Sequence, residues 1–311
     1  MNFLKGILLI ILFSLLFANY SCNNSSVNEG RTEFNFSDTI KIDSQLTSVE
    51  QSEGVIKIAI SAISSPRETF AYYEEMFNYI EKATGKRVSM TQRKTYEEVN
   101  NLLKTNQVDL AFVCSGGYVY GKEEGAFELL AISERNGSRK YQAYIITHKN
   151  SEIEQFEDLI GKRFAFTDPL STSGKLYPAK RLKELNSNPD DFFASYTYSY
   201  AHDNSIQLVT KQMVDGAAVN SLVFDFLVQA HPERVENIRI IEKSEWWGMP
   251  PIVVANGVSE ELSAELKRVF LNIHKDRGSM SVLDKLMVDK YVADSDTIYK
   301  SVREMIHFLD N

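Results

Sequence analysis

Cysteine is nearly absent: the chain has two among 311 residues, Cys22 and Cys114. With Cys22 assigned to the leader end of the chain, Cys114 has no disulfide partner, and no Cys/His spacing suggests a structural metal. Cys114 follows the apolar run Leu110-Ala111-Phe112-Val113, so a buried, inert thiol is expected. Positive charge is not in excess either. Lys and Arg number 34 against 42 Asp and Glu, a formal net charge of −8. That balance argues against nucleic acid, whose phosphate backbone needs a basic face. A small anion is not excluded, because local donors decide binding in a closed pocket. The chain has no internal repeat, no low-complexity run and no Gly-x-Ser-x-Gly elbow. No cofactor is expected.

The one strongly apolar segment lies at the start. Lys5 precedes Ile7 to Phe17, which is almost wholly apolar yet too short to span a bilayer. Residues 1–21 therefore read as a secretory signal. Cys22, followed by Asn23-Asn24-Ser25-Ser26, resembles the lipid-modified first residue of a bacterial lipoprotein. Asn19 and Tyr20 depart from the usual pattern before such a cysteine. The alternatives are cleavage without lipid and an uncut anchor; each leaves the remainder outside the cytoplasm. Residues 22–53 are polar without apolar periodicity, a flexible tether.

From Val55 onward, strand and helix patterns alternate. Val55 to Ile63 has apolar residues at period two, and Phe70, Tyr73, Phe77 and Ile80 share a helical face that stops at Gly85. A short strand at Val88 to Met90, a helix at Tyr96 to Lys104 and strands at Asp109 to Val113 and Leu129 to Ile132 follow. A second set begins with strands at Tyr141 to His148 and near Phe164, continues with Gly216 to Val219 and Ile238 to Glu242, and returns through the apolar run Ile252 to Ala255. Ser259 to Asn311 reads as helical. Repeated βαβ units imply a mainly parallel sheet with ligands at the carboxyl ends of its strands.

The most informative stretch is Asp168-Pro169-Leu170-Ser171-Thr172-Ser173-Gly174, between the strand pattern Phe164-Ala165-Phe166 and the helical face Leu176, Ala179, Leu182, Leu185. Three adjacent hydroxyls and a glycine at a strand-to-helix turn place side-chain and backbone donors in one small volume. The helix dipole adds partial positive charge, a combination suited to a phosphate or phosphonate group. An ordinary N-cap is the plainer reading, but one hydroxyl suffices for a cap. Pro178 fits only in or near the first turn, so the helix should start irregularly.

These residues, together with Thr84-Gly85-Lys86-Arg87-Val88, Tyr96, Val108-Asp109-Leu110-Ala111-Phe112, Asp158-Leu159-Ile160-Gly161-Lys162-Arg163 and His202-Asp203, occur in an order that resembles one family. It is the extracytoplasmic substrate-binding proteins of phosphate, phosphite and phosphonate ABC transporters. The resemblance runs from about Val55 to the end of the chain. It implies a two-lobed α/β fold of the periplasmic-binding-protein kind (type II-like), with mixed sheets flanked by helices and ligand in the cleft. Lobe 1 would comprise residues 54–146 and 250–311 and lobe 2 residues 147–249, with the hinge crossing near Tyr144 to Lys149 and again near Met249 to Val254. Carried over residue by residue, Ser171, Thr172, Ser173 and Gly174 would hold the anionic oxygens. His202 would face them with a charge-assisted bond, and Tyr96 would supply an aromatic contact from lobe 1. Ser115, after the strand ending at Val113, would reach the cleft, with Gly116-Gly117 bringing backbone close to ligand.

Family members that bind aminoalkylphosphonates carry acidic residues where this sequence has Leu222 and Pro250. The resemblance therefore favours a ligand without a cationic group: phosphate, phosphite or a short alkylphosphonate. The implied partners are that oxyanion, an ABC permease and the membrane through the lipid on Cys22, with the protein a monomer. Three rival readings stand beside this one. Ser173, His202 and Asp203 could form a hydrolytic set. A binding module could report ligand to a membrane signalling partner. Trp246 and Trp247 could stack on a flat organic anion or instead pack at the hinge.

Overall fold

Two sheets, each continued by chain that crosses to the other, organise the molecule. The structure is a computed structural model that describes residues 54–311; the expected signal, Cys22 and the tether lie outside the described residues. The first sheet begins with Val55–Ile60 (β1), Arg87–Gln92 (β2), Leu110–Phe112 (β3) and Phe127–Glu134 (β4). Lys140–Tyr141 (β5) leads across. The second sheet holds Ala143–His148 (β6), Arg163–Phe166 (β7), Ser195–Tyr198 (β8), Gly216–Asn220 (β9) and Ile238–Lys243 (β10). Trp247–Gly248 (β11) leads back, and Pro251–Ala255 (β12) and Lys290–Val292 (β13) complete the first sheet. Strand orders are β13-β4-β12-β3-β1-β2 and β10-β6-β9-β7-β8, with β5 and β11 paired antiparallel between them.

The sheets are mixed rather than mainly parallel. β1 runs parallel to β2 and β3, but β12 is antiparallel to both β3 and β4. The reason is the crossing: β12 enters from the second lobe at the opposite end, so its direction is reversed. Its residues are all buried, as expected for a strand inserted between two others. The first crossing lies ahead of the expected one, and the second overlaps the expected one at Met249 and Pro250. β6 belongs wholly to the second sheet and β12 to the first, so the chain passes between lobes at Arg139–Gln142 and Ser244–Pro250. Gln142 breaks the apolar run because its side-chain amide donates to the Ser244 carbonyl of the return crossing, while its N–H bonds to Ser221 Oγ.

Local signals account for several helix ends. Pro66–Thr84 starts with proline in its first turn and ends at Gly85, whose φ of 68° needs a left-handed residue. Thr95 and Glu98 form a reciprocal capping box on Tyr96–Lys104. The expected helical tail is interrupted: helices Glu260–Asn272 and Met280–Leu286 precede β13, and Lys300–Asp310 ends the chain. That last helix does not sit on lobe 1 alone. Lys183 of the second-lobe helix Tyr177–Glu184 donates to Leu309 O at 3.2 Å and lies over the Phe308 ring. A single buried cluster runs from Val99 and Phe127 through Tyr141 and Trp247 to Phe164 and Phe166. The lobes therefore share packed apolar contacts at the crossing as well as covalent chain.

Candidate ligand site between the lobes

β7 ends at Phe166, and its continuation makes the hydroxyl turn. Ser171 is extended, and its Oγ accepts the Gly174 N–H at 3.0 Å. A π-type turn follows over Thr172–Leu176, in which Tyr177 N–H reaches the Thr172 carbonyl. Pro178 has no N–H to offer the Gly174 carbonyl, which accepts from Thr167 N–H instead at 3.1 Å. The irregular start expected from Pro178 is thus a widened turn before helix Tyr177–Glu184. Gly174 admits no side chain, since a Cβ there would lie 2.4 Å from Thr167 Oγ1.

Ser171, Thr172 and Ser173 are all buried. Ser171 serves as the cap. Thr172 Oγ1 is buried with no hydrogen-bond partner, and so is the Tyr96 hydroxyl. Burial pushes the Tyr96 phenol well above its ordinary pKa; Cys114 and Asp168 add to this, and the neighbouring Ser171 hydroxyl opposes it. Tyr96 therefore stays protonated and able to donate. Tyr141, absent from the residues chosen on sequence, belongs to the same group. Burial raises its pKa too, and the hydroxyls of Ser115, Thr172 and Ser173 lie beside it. Its signal in the sequence was only its place at the head of a strand pattern, ahead of the crossing.

His202 begins helix His202–Thr210 and is 1% exposed. Its Nδ1 accepts the Asn220 N–H at 3.1 Å and lies 3.0 Å from Thr167 Oγ1. In the neutral ring the proton then resides on Nε2, which faces Ser171 Oγ at 3.5 Å. Burial lowers the imidazole pKa to about 3. The expected charge-assisted donor is replaced by a neutral one whose tautomer is held by a backbone N–H.

Ser115 opens helix Ser115–Glu123 directly after the strand, with Cys114 Sγ accepting Gly117 N–H as the cap. The buried thiol expectation for Cys114 is met, and burial raises its pKa. Ser115 Oγ donates to Gly248 O at 2.6 Å, tying this helix to the return crossing. The backbone that Gly116 approaches in the structure is the other lobe: a Cβ there would be 2.1 Å from the Leu170 carbonyl oxygen. Two helix N-termini, one from each lobe, meet here, and their dipoles favour negative charge between them.

Other contacts hold the lobes together around this point. Asp168, 1% exposed, accepts Leu170 N–H at 2.8 Å and Tyr96 N–H at 3.1 Å, capping the first-lobe helix from the second lobe. Ser65 N–H donates to Asp203 at 2.9 Å and His202 N–H to Ile63 O at 3.0 Å. Arg234 pairs with Glu68 at 3.1 Å. Asp203 is thus engaged with Ser65 and, at 3.8 Å, Arg234, while the imidazole is held by Asn220 and Thr167. No nucleophile–base–acid chain is assembled from Ser173, His202 and Asp203 among the described contacts. Trp247 is fully buried between Tyr141 and Tyr177, with ring centroids 6.3 and 5.5 Å away, and Trp246 is exposed. Trp247 packs at the crossing rather than presenting a stacking face.

A cavity of about 150 Å³ lies beside this cluster, with walls from both lobes that include Leu222 and Pro250. The hydroxyl turn itself is not among its walls. The candidate oxyanion contacts are thus compact and polar, and the open space adjoins them.

The sequence model for periplasmic substrate-binding proteins of phosphonate ABC transporters matches residues 58–299. The chain is 25% identical over 265 residues to the phosphonates-binding periplasmic protein of Escherichia coli K12, covering 83% of this chain and 78% of that protein. It is 26% identical over 237 residues to the phosphate-import protein PhnD of Mycolicibacterium smegmatis, covering 73% and 74%. Among solved structures, a binding component of an ABC phosphonate transporter from Pseudomonas aeruginosa superposes with TM-score 0.79 at 24% identity, covering 83% of this chain and 87% of that one. PhnD1 of Prochlorococcus marinus in complex with methylphosphonate gives 0.75 at 20% identity, covering 83% and 98%. At these identities the two structures establish the shared fold.

Proposed function

Because this chain belongs to the family of periplasmic substrate-binding proteins of phosphonate ABC transporters, we propose that its cleft captures a small phosphorus oxyanion. The observation that carries this reading is the pair of buried, unpartnered hydroxyls, Thr172 Oγ1 on the second lobe and Tyr96 OH on the first. A buried donor left unpaired costs about 1–3 kcal/mol. Oxygen atoms of a tetrahedral anion placed between them would accept both bonds. The backbone N–H groups of the Ser171–Gly174 turn, Ser173, Tyr141 and the Nε2–H of His202 extend the same donor set. Each named donor is uncharged, so the helix dipoles, strengthened where water is excluded, supply the preference for an anion.

Captured ligand holds the two lobes closed, and the closed form delivers it to an ABC permease. The family works outside the cytoplasm; attachment there through a lipid on Cys22, and function as a monomer, complete the proposal. The chemistry asked of the site is binding, with no bond made or broken. Titration calorimetry against phosphate, phosphite, methylphosphonate and 2-aminoethylphosphonate tests it. Dissociation constants in the low micromolar range or tighter are expected for at least one of the first three. The amine is expected to bind worst, since no carboxylate is among the described residues lining the adjoining cavity. Silence with all four ligands would overturn the reading.

A further inference from the structure

The cavity beside the polar cluster sits where the strand ends of the two sheets converge. Its walls include Ser61 after β1, Val113 after β3, Asn220 at the end of β9, Leu222 and Phe226 on helix Ser221–Ala230, and Met249 in the return crossing. These walls neighbour the oxyanion contacts along the chain. Val113 is two residues before Ser115. The Asn220 N–H holds His202, and Met249 follows Gly248, whose carbonyl binds Ser115 Oγ. β9 is the parallel neighbour of β7, which carries the hydroxyl turn. Neighbouring residues of the same strands and of the return crossing thus link the polar head contacts to the cavity.

The cavity has its own chemistry. Its lining is mainly apolar and aromatic, including Tyr73 and Phe112, and contains no carboxylate among the described residues. Its cationic groups are already engaged: Lys285 pairs with Glu75 at 3.1 Å, and Arg135 donates to Leu222 O at 3.4 Å and Met287 Sδ at 3.7 Å. One donor stands apart. Ser61 Oγ, in a residue 1% exposed, lines this cavity and has no hydrogen-bond partner. An apolar cavity near 150 Å³ is of the size that holds a benzene ring, whereas a methyl group leaves most of it unfilled.

We infer that this compartment takes the organic substituent of the ligand. The substrate class is then an organophosphonate or phosphate monoester with an uncharged, mainly apolar tail, in preference to inorganic phosphate. Burial of the tail against Leu222, Phe226 and Phe112 supplies the added affinity, and the Ser61 hydroxyl supplies one donor for a polar tail atom. The inference rests on the oxyanion reading above.

Calorimetry with inorganic phosphate, methylphosphonate, phenylphosphonate and phenyl phosphate tests it on the wild type and on Leu222→Trp, which fills the cavity. Both phenyl ligands are expected to bind at least tenfold tighter than methylphosphonate, and Leu222→Trp to bring that ratio to one or below. The ranking of phenylphosphonate against phenyl phosphate assigns the head to phosphonate or ester. Should Leu222→Trp not fold, Val223→Phe on the same wall gives the same ratio. Methylphosphonate or phosphate binding as tightly as the phenyl ligands overturns the tail compartment and leaves the oxyanion site standing. No binding by any of the four overturns both.

Discussion

Thr172→Val separates a binding hydroxyl from a structural one, because the two roles predict opposite signs. With the lobes together Thr172 is fully buried, and its Oγ1 has no hydrogen-bond partner within the protein. Valine keeps the β-branched shape and removes a buried donor that costs about 1–3 kcal/mol when unpaired. Without ligand the variant is therefore expected to melt no lower than the wild type: the open form, where water satisfies the hydroxyl, changes little, and the closed, empty form gains up to about 2 kcal/mol after allowance for imperfect packing. With ligand the balance reverses. A hydrogen bond to a charged oxygen contributes about 1.5–3 kcal/mol, so affinity should fall roughly 10- to 150-fold.

Thermal unfolding without ligand and calorimetry with methylphosphonate read the two quantities separately. X-ray scattering adds a third: with one unpaired donor gone, the ligand-free variant should be at least as compact as the wild type. Destabilisation above about 1 kcal/mol with unchanged affinity would refute the reasoning, since it would mean the hydroxyl already has a structural partner.

Two further outcomes follow from the same geometry. The folded protein holds His202 neutral with a pKa of about 3 against 6.5 for the free side chain, so between those values the unfolded chain binds more protons. Stability is then complete above pH 6.5 and declines as pH falls toward 3; linkage gives about 2 kcal/mol less at pH 5 than at pH 7.5 from this group. His202→Gln should flatten that limb of a denaturant-midpoint profile, and an unchanged slope would remove His202 as its cause. Gly116→Ala places a Cβ 2.1 Å from Leu170 O of the other lobe, a clash that exists only when the lobes meet. Methylphosphonate affinity should fall at least tenfold with little change in ligand-free melting temperature; an unchanged affinity would show that closure does not bring these backbones together.

Much of this arrangement is legible in the sequence, because local rules and tertiary demands agree there. The alternating apolar residues of β1, the glycine stop at Gly85 and the capping residues of Tyr96–Lys104 each fix an element without reference to the rest of the chain. The hydroxyl turn is legible for the same reason: three adjacent hydroxyls exceed what a cap requires. What was not legible depends on distance between residues. Tyr141 joins the donor cluster only because β5 crosses between lobes beside Ser115 and Thr172. His202 titrates near neutral pH as a free side chain, and only burial against Asn220 and Thr167 makes it a neutral donor. β13 hides in a polar-flanked triplet, Lys290–Val292, that has no strand signal until β4 offers it an edge. The departures Leu222 and Pro250 were visible as substitutions, but that they share one cavity was not.

The unpaired donors also explain why closure should depend on ligand at all. The closed lobes have contacts that need no ligand: Tyr96 N–H to Asp168, Ser65 N–H to Asp203, His202 N–H to Ile63 and Arg234 to Glu68. Left to themselves, these would favour a shut and empty cleft. Thr172 Oγ1 and Tyr96 OH oppose it, because water can satisfy both when the lobes part, and neither has a partner at hydrogen-bond geometry when they meet. Two such groups penalise empty closure by about 2–6 kcal/mol, and in the proposed complex an oxyanion accepting from both would remove that penalty. A swing of about 5.5 kcal/mol is what carries a two-state equilibrium from one per cent to ninety-nine. The two hydroxyls are therefore of the right magnitude to make the closed form report on ligand.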